Sequence, residues 1–314
     1  MQMEGESEGR SWLSGKEVRS GALLAGAAGG GLFLLKLIFG LVTRSTAVLS
    51  ESVNSFTDFI SALSTFLLIT RALKPADADH PFGHGKLENL AGLLQMAVVV
   101  GLGIWIFLSA VERLFNPVEL KMTGSGIVVM AVSMGATFLV WQRLAKLARR
   151  TGSVALEASS VEFSMDLFTN TGVILALALI YYTGLNLIDP VVALMVLAII
   201  FYSAKGVARR ALGELLDESL PSPVRVEINQ IINKTLTSHY PKLVGFHKLR
   251  TRRSGLRKLI DLHLLGCKKL ELVEAHELAH NLEGNLKNCF PDMDVLIHSE
   301  PCEEDCETCQ RIKR

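Results

Sequence analysis

Two pairs of oxygen-bearing side chains lie inside apolar segments and have the spacing of a cation site. Asn54 and Asp58 are four residues apart in one segment, and Glu162 and Asp166 are four apart in another. Residues at i and i+4 share one face of a helix, so each segment offers two oxygen ligands side by side. Two such helices could converge on one cation, as in bundle-core metal sites. Glu51 lies on the stripe of Asn54 and is an accessory candidate.

An alternative interpretation is that these groups only hold the helices together by hydrogen bonds. An ionised side chain at membrane depth costs about 2.5–3.5 kcal/mol on insertion scales, so such residues usually mark a function. Asn and Ser alone would suit packing, whereas several carboxylates need positive partners. Lys36, in the preceding apolar segment, could supply one, and we interpret it as a snorkelling or pairing residue. The cost of burial therefore favours a cation site.

A second cluster lies in a polar connection between apolar segments. Asp77, His80 and His84 stand at i, i+3 and i+7. Carboxylate and imidazole are ligands of zinc-like ions, and this spacing is typical of a compact metal site. The alternative is that they are ordinary polar loop residues.

The C-terminal third is rich in histidine and ends in a run of cysteines. Imidazoles on several predicted elements, with one nearby carboxylate, indicate a further site for zinc-like ions, although any one of them could be a surface or packing residue. The candidate ligands are His247, His263, His276, His298 and Glu300.

The cysteines Cys302, Cys306 and Cys309 have C-x3-C-x2-C spacing, and three thiolates could bind a soft metal ion. A structural zinc site would need a fourth ligand, such as a histidine. The alternative is an unligated tail. Cys267 and Cys289 are interpreted as packing residues.

The elements that position the intramembrane groups are apolar stretches long enough to cross a bilayer, which takes roughly 20 residues each. Mean hydropathy is +0.35 and 49% of residues are hydrophobic, too apolar for an ordinary soluble enzyme. The net charge of +1 gives no electrostatic reason to expect nucleic-acid binding.

The six predicted spans are 21–43, 47–70, 90–115, 124–144, 161–182 and a short one at 190–204.

Lysine and arginine are concentrated before the first span, after the second, fourth and sixth, and are sparse in the other connections. The positive-inside rule therefore predicts that both termini are cytoplasmic. The first twenty residues lack the apolar core of a cleavable signal peptide.

Beyond the last span, helical and strand patterns alternate. We predict a helix over 223–238, strands over 244–251 and 258–265, a helix over 272–289 and a strand over 293–298. This αββαβ order suits two helices on one face of a small, mostly antiparallel sheet.

Together these motifs resemble the cation diffusion facilitator family of divalent-metal transporters over nearly the full length. Besides the two intramembrane pairs, the matching pieces follow the family's order. They are His80–Glu88, Leu215-Leu216-Asp217, Gly245-Phe246-His247, Asp261-Leu262-His263, Glu274-Ala275-His276 and Ile297-His298-Ser299-Glu300-Pro301.

The resemblance implies an α-helical membrane protein with a six-helix transmembrane domain and a cytoplasmic ferredoxin-like domain. It also implies a homodimer in the lipid of a bacterial or archaeal cell membrane, and metal efflux, usually in exchange for protons, without an enzymatic reaction or organic cofactor. Lys86 and Asp217 would form the interlock between the dimer's membrane domains. The expected regions are 1–19, 20–210, 211–301 and 302–314, the last holding the cysteine tail.

This sequence departs from the family's zinc carriers at two positions. Those carriers have His or Asp at the position of Asn54 and His at that of Glu162, so the site here is all oxygen. Oxygen ligands favour manganese or iron(II), whereas the histidine-rich tail favours zinc. Zn2+, Fe2+ and Mn2+ therefore stay open as cargo and regulatory ligand.

Two other function classes are a membrane-embedded metalloenzyme and a membrane metal sensor that does not transport. The candidate polar groups lie in separate layers of the chain rather than at one hydrolytic centre. Metal flux across vesicles would separate the classes.

Overall fold

The computed structural model describes residues 2–43, 46–115, 124–183 and 188–302. Within these ranges six long helices come first: α1 (Gln2–Thr43), α2 (Thr46–Ala72), α3 (Lys86–Phe115), α4 (Gly124–Thr151), α5 (Val154–Thr183) and α6 (Ile188–Leu215). One compact unit comprises Gly15–Leu212, and a second unit includes the chain from Gly213 onward.

The outer surface of the helical unit is apolar. Large side chains such as Trp105, Leu139 and Met195 are more than half exposed. In the described residues, three segments are both long and apolar enough to cross a membrane by themselves, namely Gly15–Val42, Lys86–Glu112 and Pro190–Leu215. Helices satisfy their own backbone hydrogen bonds, so such a surface suits contact with lipid.

The sixth helix is longer than its predicted span, because polarity ends the apolar run but not the backbone helix. It continues to Leu215. Arg210 in this last part lies 2.7 Å from the Glu157 carboxylate and donates to the carbonyl of Gly152 at 2.8 Å. These contacts hold the polar end of α6 against the start of α5.

Glycine allows two of the helices to approach closely beside a candidate ligand. A Cβ on Gly29 of α1 would lie 3.2 Å from the Phe59 Cα and 3.7 Å from the Asp58 carbonyl carbon. Small residues at such contacts let helix backbones pack without large side chains between them. The α1 backbone therefore passes close to the part of α2 that carries Asp58.

The second unit contains an αββαβ domain: α7 (Ser222–Ser238), β1 (Leu243–Ser254), β2 (Arg257–Gly266), α8 (Leu272–Cys289) and β3 (Met293–Pro301). The predicted order of elements is confirmed. Both helices contribute apolar side chains to one core against the sheet, where Ile228, Ile232, Leu262, Leu264, Leu282 and Leu286 are fully buried.

The prediction of a mostly antiparallel sheet is wrong for one of its two pairings. The strand order is β1-β2-β3, with β1 and β2 antiparallel but β2 and β3 parallel. A parallel neighbour requires a crossover connection, and α8 provides it. The central strand β2 thus brings β1 and β3 residues together on either side of His263.

Leu282→Ala should lower the unfolding free energy of the C-terminal domain by about 2–5 kcal/mol, because it leaves a cavity in the core. Leu272→Ala, the same change on the same helix, should cost less than about 0.5 kcal/mol, since Leu272 is 85% exposed. Urea unfolding of a fragment beginning at Gly213 measures both. Equal losses would contradict the assigned core.

Candidate metal sites

The candidate intramembrane ligands lie on polar stripes of α2 and α5. Asp58 and Glu162 are buried and Asp166 is partly buried. Ser61, one turn after Asp58 on α2, lies beside the Glu162 carboxyl of α5, and Asp166 interacts electrostatically with the same carboxyl. The two stripes therefore face each other near Glu162. Asn54 and Glu51 belong to α2 one and two turns before Asp58, and their side chains lie outside the described set.

Glu162 is held by an amide that the sequence prediction missed. Gln95 of α3 is almost fully buried and donates from Nε2 to Glu162 Oε2 at 2.5 Å. Its carbonyl oxygen accepts from Ser159 Oγ at 3.1 Å and from Thr65 Oγ1 at 3.4 Å. Because both hydroxyls donate to the amide oxygen, the amide nitrogen is the group left to face the carboxylate.

The other oxygen of Glu162 has a different environment. Oε1 is buried and makes no hydrogen bond with the residues that the structure describes. A buried carboxylate oxygen without a donor is costly unless a cation or a proton meets it. Gln95 thus fixes one oxygen of Glu162 and leaves the other available. The sequence signal for Gln95 as a partner of Glu162 was its position as a single amide in an apolar run, Leu94-Gln95-Met96.

The loop cluster is assembled as the spacing predicted. Asp77 Oδ1 lies 3.3 Å from His80 Nδ1, and Asp77 Oδ2 lies 3.5 Å from His84 Nε2. The two imidazole rings are 4.4 Å apart, and the three ligand atoms lie within 4.8 Å of one another. The backbone N–H of His80 donates to Asp77 and holds the pKa of that carboxyl below its usual value. This group has the donor set of a zinc-like site.

The cluster in the C-terminal domain, here called the cytoplasmic cluster after its predicted location, comprises His247, His263, His298 and Glu300. It forms where β2 lies between β1 and β3. His263 pairs with His247 across the antiparallel register and with His298 across the parallel register. Glu300 joins them: its Oε1 lies 2.6 Å from His263 Nδ1, and its Oε2 lies 2.8 Å from His247 Nε2. Hydrogen bonds from His263, and then from His247, hold the pKa of Glu300 below its usual value.

Two histidines that were predicted to belong to this cluster lie further from its centre at His263 and Glu300. His298 Nε2 is 3.6 Å from Glu300 Oε1, at the margin of the group. His276 is on α8, where its ring stacks at 6.4 Å on that of His280, and the described residues do not bring it to His263 within one chain. Its role stays a prediction.

The remaining predicted groups are only partly described. Asp217 accepts from Arg252 at 3.3 Å, and Lys86 begins α3. Cys302 is buried, whereas Cys306 and Cys309 lie outside the described residues. These assignments also stay predictions. Of the two cysteines interpreted as packing residues, Cys267 is buried, but Cys289 is exposed at the end of α8, so that interpretation is wrong for Cys289.

The sequence of both units matches known domains. Residues 22–216 match the cation efflux transmembrane domain, and residues 224–302 match the cytoplasmic domain of cation efflux proteins. The chain belongs to the cation efflux family. It is therefore an integral membrane transporter rather than an enzyme, with a transmembrane domain followed by a cytoplasmic domain, as the sequence predicted.

Its relatives are similar over almost their whole length. The cation-efflux pump FieF of Serratia proteamaculans is 37% identical over 91% of this chain and 93% of its own length. FieF of Escherichia fergusonii is 35% identical over 92% of this chain and 94% of its own.

A solved structure of the metal-bound C-terminal domain of the CzcD transporter from Thermotoga maritima is 25% identical. It covers 26% of this chain and 94% of that one, with a TM-score of 0.23.

Gln95→Met should reduce metal transport by this cation efflux protein about tenfold or more, mainly through a higher KM for the metal, because it removes the donor that orients Glu162. Initial rates of metal uptake into proteoliposomes measure the effect. Gln142→Met is the matched control, since Gln142 is exposed on α4, and it should transport normally. A wild-type KM in Gln95→Met would contradict the positioning role.

Glu300→Gln should weaken zinc binding at the cytoplasmic cluster about tenfold or more. Glu300 itself should take up no proton over about pH 5–8, because a carboxyl with a lowered pKa is ionised throughout that range. The loss should therefore be seen at neutral pH, where Glu300 of the wild type is a carboxylate ligand.

Competition with a chromophoric chelator measures this affinity in the full chain carrying Asp58→Asn, His84→Ala and Cys306→Ser, which disable the candidate membrane, loop and tail sites. His280→Gln is the control, because His280 is an exposed α8 residue outside the cluster. A zinc affinity in Glu300→Gln equal to that of the wild type at neutral pH would contradict the assignment of Glu300 as a ligand.

Proposed function

We propose that this protein exports divalent transition-metal cations from the cytoplasm in exchange for protons, through a membrane site of Asn54, Asp58, Glu162 and Asp166. The observation that carries the proposal is the environment of Glu162. One oxygen is held by Gln95, and the other is buried without a hydrogen bond to the described residues. Asp166 interacts electrostatically with the same carboxyl. Membership of the cation efflux family supports the direction of transport.

Exchange follows from competition for the same oxygens. The carboxylates must be deprotonated to hold the cation, so binding from the cytoplasmic side displaces protons. On the outer side, protons take the carboxylates and the metal leaves. Return of the protonated site to the cytoplasmic side completes the cycle. Glu162 is the proposed proton carrier, since its Oε1 lies apart from the Gln95 amide.

The cargo is proposed to be Mn2+, Fe2+ or Zn2+. Four oxygen ligands favour the harder ions of this set. The relatives' printed name, cation-efflux pump, fits all three. The identity of residues 54 and 162, an amide and a carboxylate, would then determine which metal passes.

The clusters outside the membrane are proposed to regulate transport in a homodimer. Metal bound at the cytoplasmic cluster, with His276 contributed at the dimer interface, would stabilise the associated form by mass action. Asp77, His80 and His84 would form the loop site, and Lys86 and Asp217 the interlock. We also propose that both termini are cytoplasmic, in a bacterial or archaeal cell membrane.

The experiment is metal uptake into proteoliposomes with an imposed pH gradient, comparing zinc, manganese, iron(II), cobalt and cadmium. Uptake should require the opposing proton gradient and stop when a protonophore collapses it. Asp58→Asn and Asp166→Asn should reduce uptake to the level of empty vesicles, because each removes a charged ligand. Glu162→His should shift the preference toward zinc.

Asp79→Asn serves as the control, since Asp79 is an exposed loop carboxylate, and it should transport normally. A rate of metal uptake that is independent of the pH gradient would disprove proton exchange. Normal transport by both Asp58→Asn and Asp166→Asn would disprove the site.

A further inference from the structure

The turn between β1 and β2 carries a dense group of positive charges. Residues 248–258, here called the basic hairpin, contain six cations and no carboxylate. The cations are Lys248, Arg250, Arg252, Arg253, Arg257 and Lys258. Lys248, Arg250 and Arg257 are exposed, so their charge is available to a partner at the surface.

Acidic neighbours offset only part of this charge. Three carboxylates of the described residues lie beside the hairpin, namely Asp217, Asp261 and Asp292. The Asp261 pair is loose, because its Oδ2 lies 3.9 Å from Arg250 Nη2. Burial lowers the pKa of Lys258, and the nearby charge of Arg253 lowers it further. Within the described residues the hairpin therefore has an excess of positive charge.

The hairpin is tied to the end of a helix long and apolar enough to cross a membrane. α6 ends at Leu215, and the residues that follow it run along β1 in the same compact unit. Arg252 Nη1 donates to Asp217 Oδ1 at 3.3 Å, and the N–H of Leu220 donates to Thr251 Oγ1 at 3.1 Å. The chain that leaves α6 thus meets the hairpin two residues after the helix and then continues along β1 away from the turn.

The length of α6 sets the depth of this contact. The helix has 28 residues, which at 1.5 Å per residue make roughly 42 Å. A bilayer with its headgroup layers is about 40–45 Å thick, so a helix of this length that crosses it ends at the level of the headgroups. Asp217 is two residues further along the chain, at most about 7 Å. The hairpin beside it is then within about one Debye length of the lipid phosphates, roughly 8 Å at physiological salt.

We propose that the basic hairpin binds the anionic phospholipid headgroups of the cytoplasmic leaflet. Arginine suits this partner, because its planar guanidinium donates two parallel hydrogen bonds to a phosphate. Each lysine or arginine near an anionic membrane surface strengthens such binding about fivefold. The proposal rests on the cytoplasmic location proposed above, but it does not depend on metal transport.

The opposite end of β2 provides an internal comparison. Lys268 and Lys269 are exposed and follow the end of the strand, whereas Arg257 begins it. Ten residues of strand separate the two places by roughly 30 Å, several Debye lengths. Removing two charges at the far end should therefore leave lipid binding by the hairpin unchanged.

The first test measures protection of Arg257 in the full-length protein. Nanodiscs of phosphatidylcholine alone are compared with nanodiscs that also contain phosphatidylglycerol, and an arginine-specific dicarbonyl reagent is quantified by peptide mass spectrometry. Arg257 should react about threefold or more slowly in the anionic nanodiscs. The difference should shrink at high salt, because salt screens the attraction.

Equal reaction of Arg257 in the two kinds of nanodisc would overturn the proposal. It would mean either that the arginine is open in both or that an acidic segment of protein covers it in both. Inorganic phosphate added to the neutral nanodiscs separates a leaflet from a free anion. Protection by phosphate as strong as that by phosphatidylglycerol would also overturn the proposal.

The second test titrates the full-length protein in neutral detergent with phosphatidylglycerol and counts bound lipids by native mass spectrometry. The double variant Arg253→Gln with Arg257→Gln should bind phosphatidylglycerol about tenfold or more weakly, and phosphatidylcholine as the wild type does. Lys268→Gln with Lys269→Gln is the matched control, since it removes the same charge from the other end of β2, and it should behave as the wild type.

Arg253 Nε donates to the Gly255 carbonyl at 2.9 Å, so its loss could disturb the turn. Arg257→Gln alone changes an exposed side chain and should weaken phosphatidylglycerol binding about fivefold. Wild-type affinity in both hairpin variants, or an equal loss in the lysine control, would overturn the proposal. Neither measurement contains metal, so its outcome is separable from that of the uptake experiment.

Discussion

A carboxylate among apolar helices must be held by other protein groups, because little water is present there to replace its lost hydration. Glu162 receives this support from the Gln95 amide, whose oxygen is in turn bonded by Ser159 and Thr65. The network joins α2, α3 and α5. Helix positions around the candidate site thus depend on one buried amide, and the amide depends on two hydroxyls from different helices.

The same constraint makes the site asymmetric. Gln95 occupies one oxygen of Glu162, and the second oxygen is buried without a hydrogen bond to the described residues. On α2, the residue after Asp58 is Phe59, and Gly29 lets the α1 backbone approach it closely. A cation site with fixed ligands needs this kind of support from outside its ligand set. Small residues and amides that carry no charge therefore matter as much to the site as its carboxylates.

How much of this could be predicted from sequence differs between local and long-range features. Asp77, His80 and His84 meet because a short loop brings i, i+3 and i+7 together, so spacing alone sufficed. The αββαβ order followed from periodicity, but the parallel β2–β3 pairing did not, because hydrophobic pattern does not specify strand direction. The role of Gln95 could not be predicted, because nothing in its own segment indicates a contact with Glu162, which is 67 residues away in the sequence. Cys267 was interpreted as a packing residue, and it is buried against Cys302, a neighbour that only the sheet register reveals.

The ligand sets of this chain change from hard to soft along its sequence. The membrane pairs are all oxygen, the loop and cytoplasmic clusters mix oxygen with imidazole nitrogen, and the tail carries sulfur. At each of these sites zinc binds more tightly than manganese in general, so selection of a cargo depends on ligand type, geometry and metal availability. Under the proposed function, the oxygen donors of the membrane site narrow the advantage of zinc there, whereas the imidazoles of the cytoplasmic cluster keep it. The ion that occupies the regulatory cluster therefore need not be the ion that is transported, because the two sites use different donor atoms.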